Sequence, residues 1–245
     1  MEKRALITGA RHRLGEAMTR HLLDAGWTVH AHVRGADDEV ASGAHKVVAD
    51  LAEADCAERV FAQIDEPPTL LINNASLFEE DGLDAPDAAL FDRQMAVNVR
   101  APLLLTSAFA HAHAGSAVGP DRLIVNIGDS KLAAPHPDHL SYTLSKAALK
   151  SLTETSARAL GPRRIRVNMI APAMILPSPG MDAEKFAAMH DFNPLGRGVE
   201  IAHLLAALDH LVANDVVTGT CLWLDGGQRL MGLPRDVAYL EKDES

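Results

Sequence analysis

At 245 residues, with 47% hydrophobic and 23% charged, the chain has the composition of a globular protein and the length of a single α/β domain. It is long enough to bury a core without disulfides or metal. A formal charge of −10 argues against nucleic acid or an anionic membrane as partner, since both need a basic face.

The only cysteines, Cys56 and Cys221, suggest neither a disulfide scaffold nor a zinc site and fit a reducing cytosol. Met1-Glu2-Lys3-Arg4 runs straight into a strand-like segment, with no signal-peptide apolar region and no apolar run of about 18 residues. The expectation is a cytoplasmic protein.

In chain order, strand-like runs fall at 5–7, 28–33, 45–49, 69–72, 123–127, 166–170 and 221–224. Helical patterns lie between them, at 14–25, 52–64, 87–112, 141–160 and 201–212. Apolar strands alternating with helices predict a Rossmann-like, doubly wound parallel sheet of about seven strands, covered on both faces, in one domain over 1–245. The stretch 171–198, rich in proline, is the least regular; it reads as a substrate lid or as a surface excursion, and a long loop in a compact domain favours the lid. The tail 234–245 is mostly polar, and disorder or docking on a neighbouring subunit both remain open.

Thr8-Gly9-Ala10-Arg11-His12-Arg13-Leu14-Gly15 joins the first strand to the first helix. Gly9 allows a tight turn, Gly15 allows close packing, and the helix N-terminus offers N–H groups to a pyrophosphate. Arg13 stands where the three-glycine pattern has a glycine. The second strand ends His30-Ala31-His32-Val33-Arg34-Gly35, with no carboxylate before Asp37 to take a ribose 2′-hydroxyl. Arg34, with Arg11, Arg13 and His32 nearby, suits a 2′-phosphate, so the expected cofactor is NADPH.

Tyr142 and Lys146 are four residues apart, on one helical face, after the fifth strand. A phenol of pKa about 10 is a poor acid–base group at neutral pH. The expectation is that the Lys146 ammonium lowers it and also bonds a cofactor ribose.

At this point the chain resembles the short-chain dehydrogenase/reductase family along nearly its whole length. The matching pieces are the Thr8–Gly15 turn, Asp50-Leu51, Asn73-Asn74-Ala75, Asn98, Tyr142/Lys146 and Asp225-Gly226-Gly227. The resemblance implies that Asp50 and Leu51 border the adenine, that Asn74 and Ala75 border the cofactor ribose, and that Asn98 supports a proton relay behind Lys146. It also implies a homotetramer, or else a dimer, through the two long helices.

Three departures resemble the pteridine reductase and dihydromonapterin reductase branch: Arg13 in the turn, Ser76 after Asn-Asn-Ala, and Asp129 where the family usually has a catalytic Ser. Phe78 matches that branch's aromatic. Phe78 would stack on a flat pterin, Ser76 and Arg13 would bond its edge or the cofactor phosphates, and Asp129 with Tyr142 would relay a proton to a ring nitrogen. A carboxylate beside a ketone oxygen would instead oppose the developing charge. The rival register puts Ser130 inward and makes the site a carbonyl or 3-oxoacyl reductase; a reading of another class is a non-catalytic NADPH sensor, against which the intact Tyr142/Lys146 pair argues. The twelve histidines include His136 and His139 beside Tyr142, expected to border the pocket and to hold no metal.

Overall fold

The computed structural model describes residues 3–114, 121–177 and 181–240. Seven strands form one sheet: β1 (Arg4–Ile7), β2 (Thr28–Val33), β3 (His45–Val48), β4 (Leu70–Asn73), β5 (Arg122–Ile127), β6 (Ile165–Pro172) and β7 (Cys221–Leu224). Their order is β3-β2-β1-β4-β5-β6-β7, and every pairing is parallel. The order reverses between β1 and β4, which leaves a crevice at the carboxyl ends of the strands, the usual ligand position in open α/β sheets.

Alternation along each strand supplies both faces of the core. Ala5 and Ile7 pack with Met18 and Leu22 of α1 (Arg13–Asp24) and Leu204, Leu208 and Leu211 of α7 (Ile201–Ala213). Leu6 faces the other layer, with Val60 of α2 (Cys56–Phe61), Leu105 and Phe109 of α4 (Ala101–Ala112) and Ala157 of α5 (Leu140–Leu160).

Three segments differ from the sequence expectation. The helix expected over 52–64 is only α2, because the Asp50 carboxylate accepts from Ala52 N–H at 2.8 Å and turns occupy the residues before Cys56. At its far end Gln63 turns back to the β3 backbone, bonding Val48 N–H and O at 3.0 Å each.

The expected 87–112 helix is α3 (Ala88–Met95), a π-helical turn (Ala96–Arg100) and α4. Pro102 has no N–H to return to the Asn98 carbonyl, and a π turn absorbs the slip.

The 171–198 stretch is not all irregular. Its first two residues end β6, and Asp182 caps a further helix, α6 (Ala183–His190), by accepting from Lys185 N–H at 2.7 Å. Residues 178–180 of the expected lid and 241–245 of the tail lie outside the described residues. Among the described residues no helix is long and apolar enough to cross a membrane.

Candidate active site

The turn after β1 is held by its neighbours. Gly9 has φ +65°, and a Cβ there would lie 2.9 Å from the Ala75 Cα, so the turn and the 74–75 backbone pack without room for a side chain. The Thr8 hydroxyl accepts from Asn74 N–H at 2.9 Å and Ala75 N–H at 3.0 Å. In return Asn74 Nδ2 donates to the Thr8 and Gly9 carbonyls at 2.9 and 3.1 Å. Asn74 thereby clamps β4 to the turn that would cradle a pyrophosphate.

His32 departs from its expected part. It is 3% exposed, its Nδ1 accepts from Gly9 N–H at 3.3 Å, and its Nε2 donates to the Ala49 carbonyl at 3.0 Å. Those two bonds require the neutral ring, and burial pushes its pKa down further. His32 therefore braces the turn from behind and supplies no positive charge to a phosphate.

Arg11, in the turn after β1, and Arg34, just after β2, are both exposed. Arg11 pairs with Asp38 at 2.7 Å, and the same carboxylate accepts from Gly35 N–H at 2.9 Å. Two arginines to one carboxylate leave this corner suited to a phosphate dianion, the donor chemistry that a 2′-phosphorylated nucleotide needs. At the adenine end expected from the sequence, Leu51 is buried and Asp50 is exposed beside it.

Arg13 holds a left-handed backbone, φ +56°, in place of the usual glycine. Its guanidinium donates to the Pro177 carbonyl at 3.0 Å and the Leu176 carbonyl at 3.4 Å. In this structure Arg13 therefore ties the turn to the stem of the 171–198 segment.

The other side of the crevice is anchored from below. Asn73 Nδ2 donates to Asn126 Oδ1, and Asn126 Nδ2 donates to the Thr153 hydroxyl, each at 2.8 Å. This buried ladder fixes β4, β5 and α5 against one another, two turns below Lys146. Asn126 and Thr153 had no motif to mark them in the sequence.

At the top of α5, the Tyr142 hydroxyl donates to Asp129 Oδ2 at 2.9 Å. Asp129 Oδ1 accepts from Lys131 N–H at 2.9 Å, which caps the short 3-10 turn Ser130–Ala133. Of the two rival residues, Asp129 is the one bonded to Tyr142, while Ser130 is buried at the start of the turn. Both border the crevice.

Tyr142 also departs from expectation. Lys146 Nζ stands 5.6 Å from the centre of its ring and donates instead to the Ile127 carbonyl at 2.9 Å. Burial and the Asp129 carboxylate push the Tyr142 phenol well above its ordinary range, so it is protonated and is a proton donor in this state. Burial brings the Lys146 ammonium down to about 8.

Asn98, on the π turn, accepts from Leu77 N–H at 2.8 Å and from the Ser76 hydroxyl at 3.2 Å. Its Nδ2 donates to the Leu77 carbonyl and the Ser145 hydroxyl, each at 2.9 Å. Its contacts position the 76–77 backbone against α5 and do not include Lys146.

Phe78 is 47% exposed, edge-on to Tyr142 with ring centres 4.7 Å apart and 4.2 Å from His139. His139 is a non-glycine residue at φ +52°, held by this packing. These groups line a cavity of about 910 Å³ that runs from Arg13 and Asn74, past Tyr142 and Lys146, to the 233–239 segment. It is large enough for a nicotinamide and a flat substrate together. Lys131 and the 233–239 segment also border it, and neither was marked by the sequence.

A glycine-bearing turn between β1 and α1 at a sheet switch point, opening toward a buried tyrosine and lysine, is the architecture of a nucleotide-dependent oxidoreductase. The chain belongs to the short-chain dehydrogenase family, whose pattern matches residues 3–189. L-xylulose reductase of Bos taurus is 31% identical over 237 residues, covering 92% of this chain and 96% of its own. Dihydromonapterin reductase of Shigella boydii serotype 4 (strain Sb227) is 30% identical over 240 residues, with the same two coverages, 92% and 96%. FolM alternative dihydrofolate reductase 1 from Brucella canis, solved in complex with NADP, is 35% identical with a TM-score of 0.81, covering 93% of this chain and 94% of that one.

Proposed function

We propose that this protein is an NADPH-dependent reductase of dihydropterins, acting on a ring C=N bond of a dihydromonapterin-, dihydrobiopterin- or dihydrofolate-type substrate. The observation that carries this reading is the part-buried hydrogen bond from the Tyr142 hydroxyl to Asp129, beside the half-open face of Phe78.

NADPH, when bound, supplies a hydride to the ring carbon, and the adjacent nitrogen must then gain a proton. At rest Tyr142 carries the proton and Asp129 accepts its bond; as the phenol passes that proton to the ring nitrogen, a proton entering from the cleft onto Asp129 replaces it, so no phenolate is left beside a carboxylate. Phe78 orients a flat ring by stacking, and Ser76, held by Asn98, borders the ring edge. Arg11 and Arg34 take the nucleotide 2′-phosphate, Asn74 and Ala75 border its ribose with Lys146, and Gly9, Leu14 and Gly15 shape the pyrophosphate turn. The dihydromonapterin reductase and dihydrofolate reductase likenesses support the substrate class. The two free cysteines support a cytoplasmic location. Exposed Leu103 on α4 and Leu144 on α5 support assembly of a homotetramer through these helices.

The L-xylulose reductase likeness favours a second reading, reduction of a small ketone or other carbonyl. Steady-state rates with NADPH separate the two. On the pterin reading, 7,8-dihydromonapterin or 7,8-dihydrofolate turns over faster than simple ketones, and Asp129→Ala lowers the rate by about a hundredfold or more. Equal or better turnover of ketones, together with a harmless Asp129→Ala, overturns it.

A further inference from the structure

From Asp225 to Leu240 the chain after β7 does not join the sheet. Its segment 233–239 crosses the outer end of the substrate cavity, and Leu233, Arg235, Val237 and Tyr239 line it. One short 3-10 turn, Val237–Tyr239, is its regular structure. The sequence left disorder or a neighbouring subunit as alternatives for this tail; through Leu240 it lies on its own chain.

What holds the segment is a compact group of charges. Asp138, in the loop before α5, is the hub. Its Oδ1 accepts from Arg235 Nη2 at 2.5 Å and Nε at 3.2 Å, and its Oδ2 accepts from Asp236 N–H at 2.8 Å. The Asp138 side chain is 9% exposed while Arg235 is half exposed, so the forked pair is open to solvent on the arginine side, and the Asp236 N–H bond and the Tyr239 ring add to what it holds. His136 sits between the two carboxylates, 3.4 Å from Asp138 and 3.5 Å from Asp236. The Arg235 guanidinium also covers the Tyr239 ring at 5.0 Å.

The same hub reaches the proton-transfer pair. Lys131 Nζ donates to the Asp138 carbonyl at 2.8 Å, and the Lys131 backbone N–H is held by Asp129. Tail, hub and proton-relay carboxylate are thus joined through one lysine.

We propose that Arg235 and Asp138 are positioning residues that fasten 233–239 across the mouth of the cavity in the same chain, making this segment the wall against the substituent that projects from the substrate ring. The proposal rests on the pterin reading for the identity of the ring, not for the existence of the wall. Releasing the wall weakens binding of the substituent and leaves the nucleotide end and the proton-transfer pair in place.

The test is steady-state kinetics on the full chain with Arg235→Ala, Arg235→Lys and Asp138→Asn. Each is compared on a 7,8-dihydropterin with a hydroxylated side chain and on the same ring without one. Arg235→Ala is expected to raise KM for the substituted ring at least tenfold, with kcat changed less than threefold and the KM for NADPH unchanged. The bare ring shifts less than twofold. Arg235→Lys keeps the charge but loses the fork, and recovers part of the loss.

A KM for the substituted ring within twofold of the parent overturns the proposal. So does an equal fall in kcat/KM for both rings, which marks a general loss of structure. If the parent protein turns over no dihydropterin, the pterin reading fails on its own, and the same comparison is made with a long and a short hydroxyketone. There, a KM rise confined to the longer ketone upholds the wall, and equal values remove it.

Discussion

The two halves of the crevice are built from different materials. The nucleotide half is short neutral side chains on main chain, with Thr8, Asn74 and His32 bonded to the backbone of 8–9 and 74–75, and its charges, Arg11, Arg34 and Asp38, confined to the outer corner. The substrate half is charge and aromatic rings: Asp129 on Tyr142, Phe78 against His139, and Asp138 holding the tail. The first kind of construction is rigid and intolerant of added atoms. The second kind tolerates change in shape but places ionisable groups where burial works against them.

The sharpest way to break this contrast is Gly15→Ala. A Cβ at Gly15 would lie 2.1 Å from the Gly9 carbonyl oxygen and 2.8 Å from Asn74 Nδ2, so backbone must move. The expected result is loss of NADPH binding by at least a hundredfold in calorimetry, with a destabilisation of about 3 kcal/mol in denaturant unfolding. If binding and stability both stay near the parent values, the nucleotide half is not the rigid one.

A second prediction concerns the cost of charge in the site. Lys146 loses its proton at about 8 in the folded chain, against about 10.4 when unfolded. Between these values the unfolded state carries more protons, so this group makes stability rise with pH across that window. The penalty is fully present below about pH 8 and gone above about 10.4, and amounts to roughly 3 kcal/mol. Unfolding curves for parent and Lys146→Met, run from pH 7.5 to 10.5, should therefore show a stability difference that shifts by about that amount in favour of the parent. A difference that does not vary with pH would show that burial imposes no strain on the ammonium.

The contrast also explains what could be read without a structure. All seven strands and the first and last long helices were legible, because alternation and strand-length apolar runs are local signals. The turn, Asn74, Tyr142, Lys146 and the Asp129 assignment followed from spacing on those elements and from family likeness. The early end of α2 was not legible, since it depends on Gln63 finding the β3 backbone. The cap of α6 was legible in principle: Asp182 followed by Ala-Glu-Lys is a helix start, obscured by the prolines before it. His32 and Tyr142 went astray for one reason. Burial, the largest influence on both, decides their protonation, and how deeply a side chain is buried is not written in its neighbours along the chain. Lys131, Asp138 and Arg235 sit in loops that no periodicity marks.

Arg13 tests where the two halves meet. It lies in the nucleotide turn, yet its guanidinium bonds the carbonyls of Leu176 and Pro177 at the stem of the segment over the substrate half. Its left-handed backbone costs about 1 kcal/mol, which glycine would relieve. Glycine also loses more chain entropy on folding, by about 0.5–1 kcal/mol. The two effects nearly cancel, so Arg13→Gly should move the melting temperature by only a few degrees. The larger response is expected in catalysis: a KM for substrate raised about threefold as the stem loosens, with NADPH affinity held within twofold, each within about 1 kcal/mol. A tenfold loss of NADPH affinity with an unchanged substrate KM would instead return Arg13 to the phosphate, and the boundary between the halves would fall at Pro177 and not at the turn.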